Sequence, residues 1–306
     1  MHIVIVGAGG VGGYFGALLA RSGQNVSFVA RGAHLHAMQQ HGLRIQTPQG
    51  EWSLASVQAT EQLEGLRSAD LVLLCVKNYD LPPILERMSS LIGPDTAVIT
   101  LQNGIQAPEL ARQQLGDKHI LPGVVYCEVS VAEPGVIRRG TDMQRLIFGE
   151  YDGSHSERAH TIAHAFSAAG IDTNLSENVH AALWTKCCFI CAMSGVTTLA
   201  RQPLGALLAD AETRQLLQTL MHETRAVAEA HAVYFEHDPV AAGMATAARF
   251  PYEAKSSMLR DYERGARIEI EALNGAIVHY GRRYGVATPA NQAVYAALRM
   301  YNAARQ

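Results

Sequence analysis

Charge, cysteine and tryptophan are all scarce in this chain. Only 17% of its 306 residues are charged, and 25 Lys and Arg stand against 28 Asp and Glu for a formal net charge of −3. That balance excludes a polybasic nucleic-acid surface and an acidic disordered tail, leaving a small molecule as the expected partner. Five cysteines, an odd number with two adjacent, do not make a disulfide scaffold and are expected to be reduced, packed thiols. No uninterrupted apolar run approaches the roughly 18–20 residues needed to cross a bilayer. The N-terminal MHIVIVGAGGVGG enters a glycine turn without the basic n-region or cleavage site of a signal peptide. The expectation is a cytoplasmic protein with no nucleic-acid or membrane partner.

What is present falls into two rhythms. From Met1 to about Leu175, short apolar runs (HIVIV, NVSFVA, DLVLLCV, TAVITL) alternate with helical patterns (GGYFGALLARSG, AHLHAMQQHG, PPILERMSSLI, PELARQQLG). Runs of Val, Ile and Leu read as buried parallel strands, and the helices between them as crossovers. After about Ser176 helical periodicity takes over, in ALWTKCCFICAMSGV, TRQLLQTLMHETRAVAEAHAV, RIEIEALNGAIVHYGRRYG and ANQAVYAALRMYNAA. The expected fold class is α/β: an N-terminal Rossmann-type parallel sheet over residues 1–175, binding a dinucleotide, and a C-terminal all-α substrate and catalytic domain over 176–306. The high apolar content of the helical half makes a homodimer through it an expectation.

Gly7-Ala8-Gly9-Gly10-Val11-Gly12 follows an apolar strand and opens a helical pattern. In that context Gly7 permits the tight turn, Gly9 lets the backbone approach a pyrophosphate and Gly12 allows close helix–strand packing. The second strand ends in Arg31-Gly32, where an NAD enzyme usually carries a ribose-binding acid. A guanidinium there suits the 2′-phosphate of NADP, so NADPH is the expected cofactor. Lys77 and Asn103-Gly104 follow the next two apolar runs, at the carboxyl ends of parallel strands where open sheets bind ligands. Lys77 suits a cofactor contact, and Asn103 suits the nicotinamide, the substrate or a lysine.

Hydride delivery to a carbonyl needs a proton donor and a cation beside the oxygen. Lys186, alone among apolar residues, can supply both; a side chain snorkelling at a helix end is the alternative. Ser257 and Glu269 suit a substrate carboxylate and a partner for the lysine, against the alternative of a solvated helix face. Cys187, Cys188 and Cys191 lack the fourth ligand of a zinc site, and His160 and His164 lack a third, so no metal is expected.

Together, the glycine turn, Arg31, Lys77, Asn103-Gly104, Trp184-x-Lys186, Ser256-Ser257-Met258, Glu269 and Asn274-Gly275 resemble the ketopantoate reductases (2-dehydropantoate 2-reductases) through nearly the whole chain. The resemblance implies a Rossmann domain, an all-α domain and NADPH-dependent reduction of ketopantoate to pantoate in pantothenate synthesis. By matched position it implies Lys186 as general acid, Glu269 as a substrate- and cofactor-site carboxylate, Ser257 and Ser194 as substrate contacts, and Asn103 beside nicotinamide, substrate and lysine. Residues 7–12, Arg31 and Lys77 match cofactor contacts. One departure stands out. The family helix usually carries asparagines four and eight residues after its lysine, where this chain has Ile190 and Ser194. That makes another 2-oxo acid, as in related D-2-hydroxyacid dehydrogenases, the competing substrate class. A non-catalytic NADP sensor is the competing functional class, against which the retention of Lys186, Ser257 and Glu269 argues.

Overall fold

The computed structural model describes residues 1–304; the last two positions of the expected helical domain, 305–306, lie outside the described residues. The chain clusters into two compact units, Met1–Gln102 with Ala107–Val179, and Asn103–Gln106 with His180–Gln306.

The first unit is built on ten strands: β1 (His2–Val6), β2 (Asn25–Val29), β3 (Leu43–Thr47), β4 (Gly50–Leu54), β5 (Gln58–Thr60), β6 (Leu71–Leu74), β7 (Ala97–Thr100), β8 (Ile120–Glu133), β9 (Val136–Phe148) and β10 (Asp172–Leu175). Their order is β4-β3-β9-β8-β7-β6-β1-β2-β5, with β10 beside β9. The expected apolar runs form β1, β2, β6 and β7, all mutually parallel and wholly or almost wholly buried, as continuous Val/Ile/Leu runs require. Alternation along each strand feeds two cores: Ile3, Ile5, Leu71, Leu73 and Ile99 enter one, and Val4, Val6, Val72, Leu74 and Val98 the other. The sheet is not purely parallel, because β3 with β4 and β8 with β9 form antiparallel pairs. The long β8–β9 hairpin has a local signal in Pro134-Gly135, where Gly135 takes φ +78.

The second unit is helical, and its centre is the helix Val179–Ala200. By length and mean hydropathy that helix is long and apolar enough to cross a membrane, yet 67% of its most apolar window is buried inside the protein. An all-round apolar helix in that setting is a core helix. Trp184, Cys187, Cys191, Met193 and Val196 pack with residues of the helices Leu204–Ala209, Ala211–Ala230, Ala276–Tyr284 and Pro289–Ala303 in one cluster. The pattern RIEIEALNGAIVHYGRRYG does not make one continuous helix. Glu269 lies in an irregular stretch, followed by a π-helical turn, Glu271–Gly275, and then Ala276–Tyr284. The turn closes with the Gly275 amide donating to the Ile270 carbonyl at 2.9 Å, a spacing of five residues.

Candidate active site

The glycine turn of the first unit lies at the carboxyl end of β1. Chain order places β2 on one side of β1 and β6 on the other, so the carboxyl end of β1 is the switch point at which such sheets open a crevice. Gly7 stands there at φ +99, and a Cβ on it would lie 2.7 Å from the Val76 amide nitrogen. Gly12 is equally constrained, since its Cβ would sit 2.2 Å from the Gly7 carbonyl oxygen. Gly9 is different: a Cβ there would meet nothing within 4 Å. The helix Gly10–Arg21 starts at this open side, with no side chain capping it and no acid in its first turn. First-turn amides have no carbonyl partner within their own helix, so Gly10, Val11 and Gly12 offer donors to an anion. These residues fit a pyrophosphate.

A residue the sequence reading passed over holds that turn. The Gly135 amide donates to His34 Nδ1 at 3.0 Å, so Nδ1 carries no proton, and Nε2–H donates to the Ala8 carbonyl at 2.9 Å. Burial holds the His34 imidazole below its usual range, with the Ala8 bond pulling the other way. Arg31, directly before the helix Gly32–His41, is exposed and pairs with Asp80 at 2.8 Å. Lys77 leads into the 3-10 turn Asn78–Asp80 that follows β6.

In the second unit the Lys186 ammonium, half-buried on the helix Val179–Ala200, donates to Asn103 Oδ1 at 2.8 Å. The fold thus brings Asn103 and Lys186 together. Ile190 and Ser194 follow Lys186 at spacings of four, which places them on its helix face; Ile190 is half-buried and Ser194 buried. Ser257 is exposed in the first turn of Ser257–Glu263. Its neighbour Ser256 does the anchoring. Thr197 Oγ1 donates to the Met193 carbonyl at 2.7 Å, leaving Ser256 to donate to Thr197 at 2.8 Å while it accepts from the Leu259 amide at 3.0 Å. Ser256 therefore caps one helix and ties it to the helix of Lys186.

Glu269 is buried, between Ile268 and Ile270, and its place is set by neighbours. Asn302 grips Ile268 on both backbone groups. Asn274, in the π turn, donates to the Cys191 carbonyl at 3.3 Å and to Asn291 Oδ1 at 2.9 Å. Gly104, at φ +93, passes so close to the turn that a Cβ on it would lie 2.6 Å from the Ala272 carbonyl oxygen. Backbone contact therefore links the Asn103-Gly104 segment to the stretch that carries Glu269. Asn302 had no local signal, being one polar residue in a helical pattern.

The cysteines are packed. Cys187, Cys188 and Cys191 are free and buried, with Cys187 Sγ 3.4 Å from Cys191 Sγ. Burial pushes the Cys188 thiol well up, and the Cys187 contact followed by burial does the same for Cys191, which keeps both as poor ligands and nucleophiles. Among the described residues no group of three or more His, Cys, Asp or Glu is arranged to hold a metal ion.

Residues 3–153 match the family described as ketopantoate reductase PanE/ApbA, and residues 178–302 match its C-terminal part. A 2-dehydropantoate 2-reductase of Mesorhizobium japonicum is 35% identical, over 98% of this chain and 97% of its own. A PanE/ApbA family ketopantoate reductase from Ralstonia eutropha superposes with a TM-score of 0.91 at 32% identity, covering 98% of both chains. A D-mandelate dehydrogenase solved with NADH and anilino(oxo)acetate shares the fold, with a TM-score of 0.90 at 24% identity over 99% of both chains. On the sequence matches along nearly its full length, the chain belongs to the ketopantoate reductase family, a family of oxidoreductases.

Proposed function

We propose that this protein reduces 2-dehydropantoate to pantoate with NADPH, in the cytoplasm, with Lys186 as the general acid. In this reading residues 1–175 bind the dinucleotide and residues 176–306 bind the substrate. The observation that carries it is the 2.8 Å hydrogen bond from Lys186 to Asn103. A neutral amide accepts one of the ammonium's three N–H bonds and so orients the other two, which a proton donor beside a developing alkoxide requires. The cofactor, when bound, supplies the hydride. Gly7 to Gly12 seat the pyrophosphate, Arg31 receives the 2′-phosphate and Lys77 adds a cation on the far side of β1. Lys186 places its proton on the C2 oxygen, and Glu269 organises the lysine and the cofactor-proximal end of the site. Ser257, exposed at a helix N-terminus, binds the substrate carboxylate, where backbone amides reinforce it.

A second substrate reading is favoured by Ile190. An apolar side chain one helical turn beyond Lys186 gives no hydrogen bond to a hydroxyl, and a site that leaves such a group unpaired discriminates against it. The competitor is a less polar 2-oxo acid. The test is oxidation of NADPH with a panel of 2-oxo acids, with Lys186→Ala as control. Highest kcat/KM with ketopantoate supports the first reading, and preference for an unbranched or aromatic acid supports the second. No turnover with any 2-oxo acid despite tight NADPH binding would leave a nucleotide sensor and overturn both.

A further inference from the structure

The ribose-reading acid missing from the end of β2 has a counterpart elsewhere in the first unit. Arg31 follows β2, and Asp80 closes the turn after β6. Because β2 and β6 are the two neighbours of β1, the two side chains come from opposite flanks of the strand that carries the glycine turn. Arg31 Nη2 and Asp80 Oδ2 meet at 2.8 Å, so the pair reaches across the carboxyl end of β1.

Asp80 immediately precedes the helix Leu81–Glu86, whose second and third residues are Pro82 and Pro83; neither has an amide proton to donate, and the Asp80 side chain makes no capping hydrogen bond. With no helix amide to cap, the carboxylate turns to Arg31. The Arg31 side chain is 74% exposed and that of Asp80 28%, so the guanidinium keeps open edges for a second anion while the carboxylate is the sheltered partner.

We propose that Asp80 is a cofactor-specificity residue, which limits the preference for NADPH over NADH by competing with the 2′-phosphate for Arg31. This rests on the reading that the glycine turn binds a nicotinamide dinucleotide. A phosphate arriving at Arg31 meets a carboxylate already on the same guanidinium, and two like charges sharing one cation oppose each other. The 2′-hydroxyl of NADH carries no charge and meets an acceptor instead. Asp80 therefore weakens the charged cofactor and leaves the uncharged ribose tolerated.

The test is equilibrium binding of NADPH and NADH, followed by nucleotide fluorescence, to the wild-type protein, Asp80→Asn, Asp80→Glu and Arg31→Ala. The fragments 2′,5′-ADP and 5′-AMP, followed by calorimetry, isolate the adenosine end. Asp80→Asn keeps the size and an acceptor oxygen, and is expected to tighten NADPH roughly fivefold, as removal of one partly exposed charge allows, with NADH changing little or weakening. Asp80→Glu retains the wild-type ratio, and the fragments follow the same pattern. Equal changes for both nucleotides in Asp80→Asn, or looser NADPH binding, would overturn the proposal. Wild-type protein that binds neither dinucleotide would overturn the underlying cofactor reading instead.

Discussion

Asn302 holds the backbone of Ile268 on both sides: its Oδ1 accepts from the Ile268 amide at 3.0 Å, and its Nδ2 donates to the Ile268 carbonyl at 2.8 Å. The stretch has no helix or strand to satisfy these groups, so one side chain of the helix Pro289–Ala303 takes the place of a neighbouring strand. Glu269 is the next residue. Replacing Asn302 with Leu leaves two buried backbone groups unpaired, and should cost about 2–6 kcal/mol at about 1–3 kcal/mol for each group. Urea unfolding checks the stability. A loss of kcat in the fraction that remains folded checks the positioning of Glu269.

Lys186 and Asn103 should separate in kinetics. Lys186→Ala is expected to lower kcat by about 10²–10⁴-fold, the usual contribution of a positioned proton donor. Asn103→Ala removes the amide that aims the ammonium while leaving the proton in place, so its kcat loss should be smaller. Stopped-flow measurement of nucleotide oxidation compares the two. Equal losses would mean that the lysine acts only where Asn103 puts it.

The glycines of the turn should divide by direction. Gly12→Ala drives a Cβ to 2.2 Å from the Gly7 carbonyl and should fail to fold stably, whereas Gly9→Ala points into open space. The Gly9 variant should keep its melting temperature and, if the turn seats a pyrophosphate as proposed, lose dinucleotide affinity, because the methyl group fills the open side of the turn. Thermal denaturation and nucleotide titration on the same samples make the distinction.

His34 predicts an acid-side weakness. Its pKa is lowered in the folded protein, so the unfolded chain binds more protons as pH falls. The stabilisation is complete above the unfolded value of about 6.5 and is lost as pH drops through it and on through the folded value. His34→Gln, which cannot titrate, should flatten that part of the pH–stability profile. An unchanged slope between the two proteins would remove His34 as its source.

Ile190→Asn should move selectivity rather than the chemical step. Restoring an amide one turn beyond Lys186 is expected to raise kcat/KM for ketopantoate relative to an unbranched 2-oxo acid by roughly tenfold, the effect of one hydrogen bond of about 1–1.5 kcal/mol. Competition between the two substrates measures the ratio directly.

The glycine turn, the four central parallel strands, the helical character of the second half and a lysine in an apolar run are all legible in the amino-acid order. Each of these is a local pattern: a spacing of glycines, a run of β-branched residues, a 3.6-residue period, a charge without neighbours. How those parts are held depends on contacts between residues far apart in the chain. Asp80 reaches Arg31 from 49 residues away, Lys186 meets Asn103 across 83, and Asn302 grips Ile268 across 34. The helical period of RIEIEALNGAIVHYGRRYG runs through Glu269, where the backbone is irregular, for the same reason. Its hydrogen bonds are made by a distant asparagine, and a polar residue in a helical pattern carries no mark of the backbone it will satisfy.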